Sequence, residues 1–321
     1  MIVSPSIEAQ LGQMTQGRVV TDDGTELLYQ SFGEGPAIVF ANGIGVRYPG
    51  VVKQLGALRP RYRVICWDYR GMGQSIMRDP EQGDVSMPRH ARDILAILEQ
   101  LGVERAIFVG WSMGVQVSLE AIRLQPERVA GFVALLGTYG LPFRTAFPAP
   151  VAHGVEQLFA LLNRHPAVAQ RALDLAVALP RLAFFVLSRA VFVGRDADPE
   201  IFDADVRAVA GVDKLLYTRT LLELANHDAS AVLPEVRCPA LIIAGERDYL
   251  TPPKVALHMA SLIPDAGYRE LEGATHFAMI EQPELVNAQL VEFAGRVFGA
   301  ASGAGSARES GSSATDGASR A

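Results

Sequence analysis

The sequence predicts an α/β protein: a mostly parallel, eight-stranded sheet flanked by helices, with further helices inserted after the sixth strand. Three observations carry this expectation. Short apolar runs rich in strand-forming residues alternate with amphipathic patterns of helix length, the arrangement of crossover connections in parallel sheets. A Gly-x-Ser-x-Gly pentapeptide, Gly110-Trp111-Ser112-Met113-Gly114, stands between one such run and one such helix. From residue 141 to residue 233 the alternation stops, and only helical patterns remain, separated by Pro166, Pro180 and Pro199.

The elements follow in order. Residues 1–16 read as a poorly ordered leader without the basic start and apolar core of a signal peptide. Arg18-Val19-Val20 and Glu26-Leu27-Leu28-Tyr29 flank an Asp22-Asp23-Gly24 turn and read as a hairpin. Ala37 to Phe40 and Arg63 to Trp67 are the next strands. Ser86 caps a helix with Pro88 in its first turn; Ala91, Ile94, Leu95, Leu98 and Leu101 form its apolar face, and Gly102 ends it. Ala106 to Val109 precedes the pentapeptide, and Met113 to Leu124 follows it, apolar nearly all round as in a buried helix. Val129 to Leu136 is the sixth strand. After the insertion come strands at Leu241 to Gly245 and Tyr268 to Leu271, then a helix with Val286, Leu290, Phe293 and Val297 on one face. Residues 17–140 and 234–299 thus make the core, 141–233 the insertion, and 300–321, with nothing apolar to bury, a disordered tail.

The pentapeptide has the context of a nucleophile elbow, in which a strained strand-to-helix turn presents a serine hydroxyl with a helix N-terminus behind it. Two further strand ends carry matching groups. Asp248 follows Leu241 to Gly245, and His276 follows Tyr268 to Leu271. Catalytic groups of open α/β sheets gather at the carboxyl ends of the strands. A serine hydroxyl needs an adjacent base, which His276 supplies, and an acid to fix that imidazole, which Asp248 supplies. Glu246 and Asp265 are the competing acids, and loop or capping roles are the bland alternatives for His276 and Ser112.

The order Ser112, Asp248, His276 resembles that of α/β-hydrolase-fold enzymes of the small bacterial esterase, lipase and cofactor-free haloperoxidase kind. The resemblance extends to Asp68-Tyr69-Arg70-Gly71-Met72-Gly73-Gln74-Ser75 and to Cys238-Pro239-Ala240, and spans roughly residues 20–298. It departs at Asn42-Gly43-Ile44-Gly45, where the family usually has His-Gly. The resemblance implies an α/β-hydrolase fold with residues 141–233 as a helical cap. It also implies an oxyanion hole from the backbone amides of Met113 and Ile44. Asn42, Gly43 and Trp111 are the candidate substrate-contacting residues; loop bracing is the alternative for Asn42 and packing for Trp111. Asp68 and Arg70 read as loop anchors.

The chain's 321 residues and 49% hydrophobic content allow one large core, and a net charge of −6 argues against nucleic-acid partners. Cys66 and Cys238 read as reduced thiols, no metal-ligand spacing occurs, and no cofactor is implied. Pro180, Arg181 and Arg189 interrupt the most apolar stretch well short of the ~20 residues of a bilayer crossing. The expectation is therefore a cytoplasmic serine hydrolase acting on a small hydrophobic carboxylic ester through an acyl-enzyme, with its oligomeric state open. A carbon–carbon hydrolase of ring-cleavage diketones, which would use the same triad, and a catalytically silent binding protein are the rivals. The apolar stripes of Phe159, Leu162, Phe184 and Phe185 suit a roof over the pocket.

Overall fold

The computed structural model describes residues 11–146 and 193–309, with a few single positions between 150 and 179. Eight strands form one sheet: β1 (Met14–Val20), β2 (Glu26–Phe32), β3 (Ala37–Ala41), β4 (Arg63–Trp67), β5 (Ala106–Trp111), β6 (Val129–Leu135), β7 (Ala240–Gly245) and β8 (Ala266–Leu271). Their order across the sheet is β1-β2-β4-β3-β5-β6-β7-β8. β1 and β2 form an antiparallel hairpin, β2 pairs antiparallel with β4, and every later pairing is parallel.

The helices are α1 (Val52–Leu58), α2 (Met87–Gln100), α3 (Met113–Leu124), α4 (Pro142–Ala146), α5 (Pro199–Ala210), α6 (Lys214–Asn226), α7 (Pro253–Leu262), α8 (Ala278–Glu281) and α9 (Pro283–Glu309). The α2 boundaries follow from local chemistry. The Ser86 hydroxyl accepts the Arg89 amide at 3.4 Å, a proline occupies the first turn, and Gly102 takes a φ of 63° just past the end.

Neighbouring residues of a strand point to opposite faces, and the two cores divide accordingly. Val39, Ile65 and Phe108 pack with Ile94 and Leu98 of α2 and Val115 and Leu119 of α3. Ile38, Val64 and Ile107 pack on the other face with Leu55 of α1 and Val286, Leu290 and Phe293 of α9. Parallel strands covered on both faces are apolar throughout, as β3 and β5 are.

Two boundaries move. Leu11 is buried and β1 begins at Met14, so the supposed leader joins the fold before residue 16. At the other end α9 continues to Glu309, where a tail was expected from Ala300. Of the segment 141–233, the described regular elements are α4, α5, α6 and a 3₁₀ turn at Ser230–Glu235, joined by turns, with an isolated bridge between Asp228 and Gly140. Phe159, Leu162, Phe184 and Phe185 lie outside the described residues. Helix α6 ends against the core, where His227 contacts Gln116 Oε1 at 2.6 Å and Glu120 Oε1 at 2.9 Å, both on α3.

Candidate active site

β5 ends at Trp111, and the chain turns through Ser112 into α3 with a φ of 54° at the serine. Such backbone costs on the order of 1–3 kcal/mol for a non-glycine residue and persists only where its surroundings over-determine it. They do so here. The Ser112 amide donates to the Leu135 carbonyl at 3.2 Å, tying the turn to β6. A side chain on Gly110 would collide with the Gly114 carbonyl, and one on Gly114 with the Ala41 carbonyl of β3. The two glycines of the pentapeptide therefore let α3 begin directly against the sheet.

His276 brings Nε2 to 3.0 Å from Ser112 Oγ, and its Nδ1 lies 2.8 Å from Asp248 Oδ2. Nδ1–H donates to the carboxylate in this arrangement, which leaves Nε2 free to accept the serine proton. Asp248 is buried and fully bonded. Its Oδ1 accepts the amides of Leu250 and Thr251, each at 2.9 Å, and its Oδ2 also accepts the Thr251 hydroxyl at 2.6 Å. Burial opposes charge on this carboxyl. The attraction of His276 and the hydrogen bonds from His276 and Thr251 outweigh it, and the group stays below the ordinary aspartate range. Glu246, the competing acid, is exposed and accepts the Gly273 amide at 2.7 Å.

Above this chain of contacts lies a cavity of about 340 Å³. It is lined by Ser112, His276, Gly43, Ile44 and Trp111 from the core, by Leu250 and Phe277 beside Asp248 and His276, and by α5 and α6 residues. Its walls are mostly apolar, and its volume is at the small end for ligand sites. Gly43 faces the Trp111 ring and Ser112, where an added methyl would lie 3.4 Å from ring carbons and 3.5 Å from the serine Cβ, in ordinary contact. Neither the Ile44 nor the Met113 amide finds an acceptor among the described residues.

Asn42, a candidate substrate contact from sequence, does not line this cavity. Its side chain is buried beneath the loop, and its carbonyl accepts the Tyr69 hydroxyl at 2.8 Å. Asp68 and Arg70 anchor loops. Asp68 binds Arg47 Nε at 2.9 Å and the Gln74 amide at 2.8 Å, while Arg70 forks onto Asp93 and reaches Asp23. Both cysteines are free thiols; Cys66 lies in β4, and burial pushes the Cys238 thiol up to about 11. No group of His, Cys, Asp and Glu fit to hold a metal occurs among the described residues.

Sequence reasoning did not assign Thr251 its hydroxyl contact with Asp248, and it missed the α5 and α6 residues that wall the cavity. One signal was available. Ile201, Phe202, Asp205 and Ala208 form the buried stripe of α5, and a carboxylate within an apolar stripe marks a special position.

Fold and site together define a hydrolase built on an α/β sheet with a serine at a strand-to-helix elbow. The chain belongs to the alpha/beta hydrolase family, whose model matches residues 38–289. A protein of Pseudomonas savastanoi pv. phaseolicola named carbamate hydrolase RutD is 27% identical over 267 residues, covering 81% of this chain and 94% of the relative. A protein of the same name from Agrobacterium fabrum is 26% identical over 268 residues, covering 81% and 93%. Among solved structures, a thermophilic esterase from Thermogutta terrifontis superposes with a TM-score of 0.69 at 21% identity, over 88% of this chain and 99% of that one. A bromoperoxidase from Bacillus anthracis superposes with a TM-score of 0.70 at 20% identity, over 87% and 99%. No helix among the described residues is long and apolar enough to cross a membrane.

Proposed function

We propose that the protein is a cofactor-free serine hydrolase that cleaves a small carboxylic ester with a hydrophobic acyl or alcohol part. The observation that carries this reading is the hydrogen-bonded sequence Ser112, His276, Asp248 opening into an apolar cavity. Ser112 Oγ attacks the ester carbonyl as His276 Nε2 takes its proton. The developing oxyanion is received by the amides of Met113 and Ile44, each such donor contributing about 3 kcal/mol to transition-state stabilisation. The tetrahedral intermediate collapses, the imidazolium returns the proton to the departing alkoxide, and the acyl group stays on Ser112. Water, activated by the same imidazole, then releases the acid. Asp248 holds the tautomer and stabilises the imidazolium. The segment 141–233 serves as the cap, and the enzyme works in the cytoplasm.

A second reading is favoured by the relatives named carbamate hydrolases, which match nearly their whole length. A carbamate presents the same carbonyl to the same nucleophile, with an amine or ammonia in place of one leaving group. The test is kcat/KM across acetyl to dodecanoyl esters, beside a carbamate, an aromatic ester and a vinylogous diketone. Each methylene the cavity buries contributes up to about 0.8 kcal/mol. Efficiency is therefore expected to rise several-fold over the first carbons and then fall once about 340 Å³ is filled. A flat profile contradicts an apolar acyl site, and a diketone cleaved faster than every ester overturns the ester reading.

A further inference from the structure

One group in this cavity has no part in the reaction just described. Asp205 projects from the buried stripe of α5 and is only 5% exposed. Asp205 is one of the residues lining the cavity that holds Ser112 and His276. Among the described residues it makes no hydrogen bond and no ion pair, whereas Asp68, Asp93 and Asp248, equally buried, are all paired. Space has been kept for it: a side chain on Gly50 would collide with both carboxyl oxygens. Aromatic rings surround the same volume, with Trp111, Phe202, Tyr217 and Phe277 in its walls.

An unpaired buried carboxyl costs stability, since it gives up hydration and gains nothing in return. A cation would remove that cost, and aromatic faces attract cations, most strongly where water is excluded. We propose that Asp205 and the surrounding aromatic rings form a subsite for an ammonium group carried by the substrate, seated there while Ser112 attacks the carbonyl. The substrate class is accordingly a small ester or carbamate bearing a positively charged nitrogen. This rests on the reading of Ser112 as nucleophile. Burial alone raises the Asp205 carboxyl well above the ordinary aspartate range, and a cation seated beside it would act in the opposite direction. Of the titratable groups around it, His276 and Tyr217 line the same cavity. Arg47, at the start of the turn carrying Gly50, binds Asp68.

The test uses the full chain and two esters of one shape, acetylthiocholine and its uncharged carbon analogue 3,3-dimethylbutyl thioacetate, at pH 8. The cationic ester is expected to be favoured by about tenfold or more in kcat/KM, chiefly through KM. In Asp205→Asn that ratio should collapse toward one, whereas a merely structural role would lower both esters together and keep the ratio. Calorimetric titration of Ser112→Ala with tetramethylammonium reads the subsite without hydrolysis; binding that tightens as pH rises is expected. Equal efficiency on both esters overturns the subsite and leaves the hydrolase reading intact. Tetramethylammonium binding with neither ester cleaved does the reverse. A hydroxyalkyl thioacetate preferred over the cation also overturns the proposal, because it assigns Asp205 to a neutral donor.

Discussion

Asp248 receives hydrogen bonds from two amides, one hydroxyl and one imidazole, and each fixes a different degree of freedom. The two amides and the hydroxyl immobilise the carboxylate, so His276 meets a fixed acceptor. Asp248→Asn should fold normally yet lose roughly three to four orders of magnitude in kcat, because an amide can stabilise the wrong imidazole tautomer. Steady-state kinetics beside a thermal melt would check both halves. The lowered native pKa of Asp248 has a consequence for stability with a definite sign. Its contribution is fully present above the ordinary aspartate range and is lost as pH falls through the lower native value. Asp205, raised by burial, acts in the opposite sense and costs stability once pH passes the range in which an unfolded aspartate ionises. Ser112, Asp248 and His276 were legible in the sequence because each stands at a recognisable strand end. Thr251 and Asp205 were less so: one acts through a side-chain contact, the other through the packing of α5 against the turn holding Gly50, and the carboxylate in the apolar stripe of α5 signals a special position without saying what it faces.

The elbow is the element on which the site depends. Gly114 lets α3 start against the Ala41 carbonyl, and this contact sets both the direction of the helix and the position of the Met113 amide. Gly114→Ala should destabilise the protein by about 2 kcal/mol or more, since it forces backbone against backbone. Gly267→Ala in β8, where a side chain meets only ordinary contacts with Leu241 and Ala240, should cost less than about 1 kcal/mol. Denaturant midpoints of the two variants measure the difference, and equal losses would contradict the packing account. Strands were the most legible elements, because runs such as Ala37 to Phe40 and Ala106 to Val109 are apolar, short and bounded. Helix α1 was not legible. Its seven residues include Gly56, and so short a run shows no clear period. Helix α7 was not anticipated, although Pro253 opens it in the first-turn position that proline favours.

At the scale of the molecule, the sheet collects residues from three distant stretches of chain at one edge, and the segment between β6 and β7 supplies one wall of the cavity through α5 and α6. That architecture could be anticipated because strand and helix patterns alternate. The cavity could not, since its shape depends on where α5 and α6 settle, and helical periodicity says nothing of that. The central claim is that this fold makes Ser112 a nucleophile through His276. The most direct measurement is covalent labelling by a fluorophosphonate, followed by mass spectrometry of the modified peptide. One equivalent on Ser112 is predicted, with no label in Ser112→Ala and labelling slowed by about a thousandfold or more in His276→Ala, as expected of groups that act as a unit. Ester hydrolysis that persists in Ser112→Ala, or a label carried by any other residue, would contradict it.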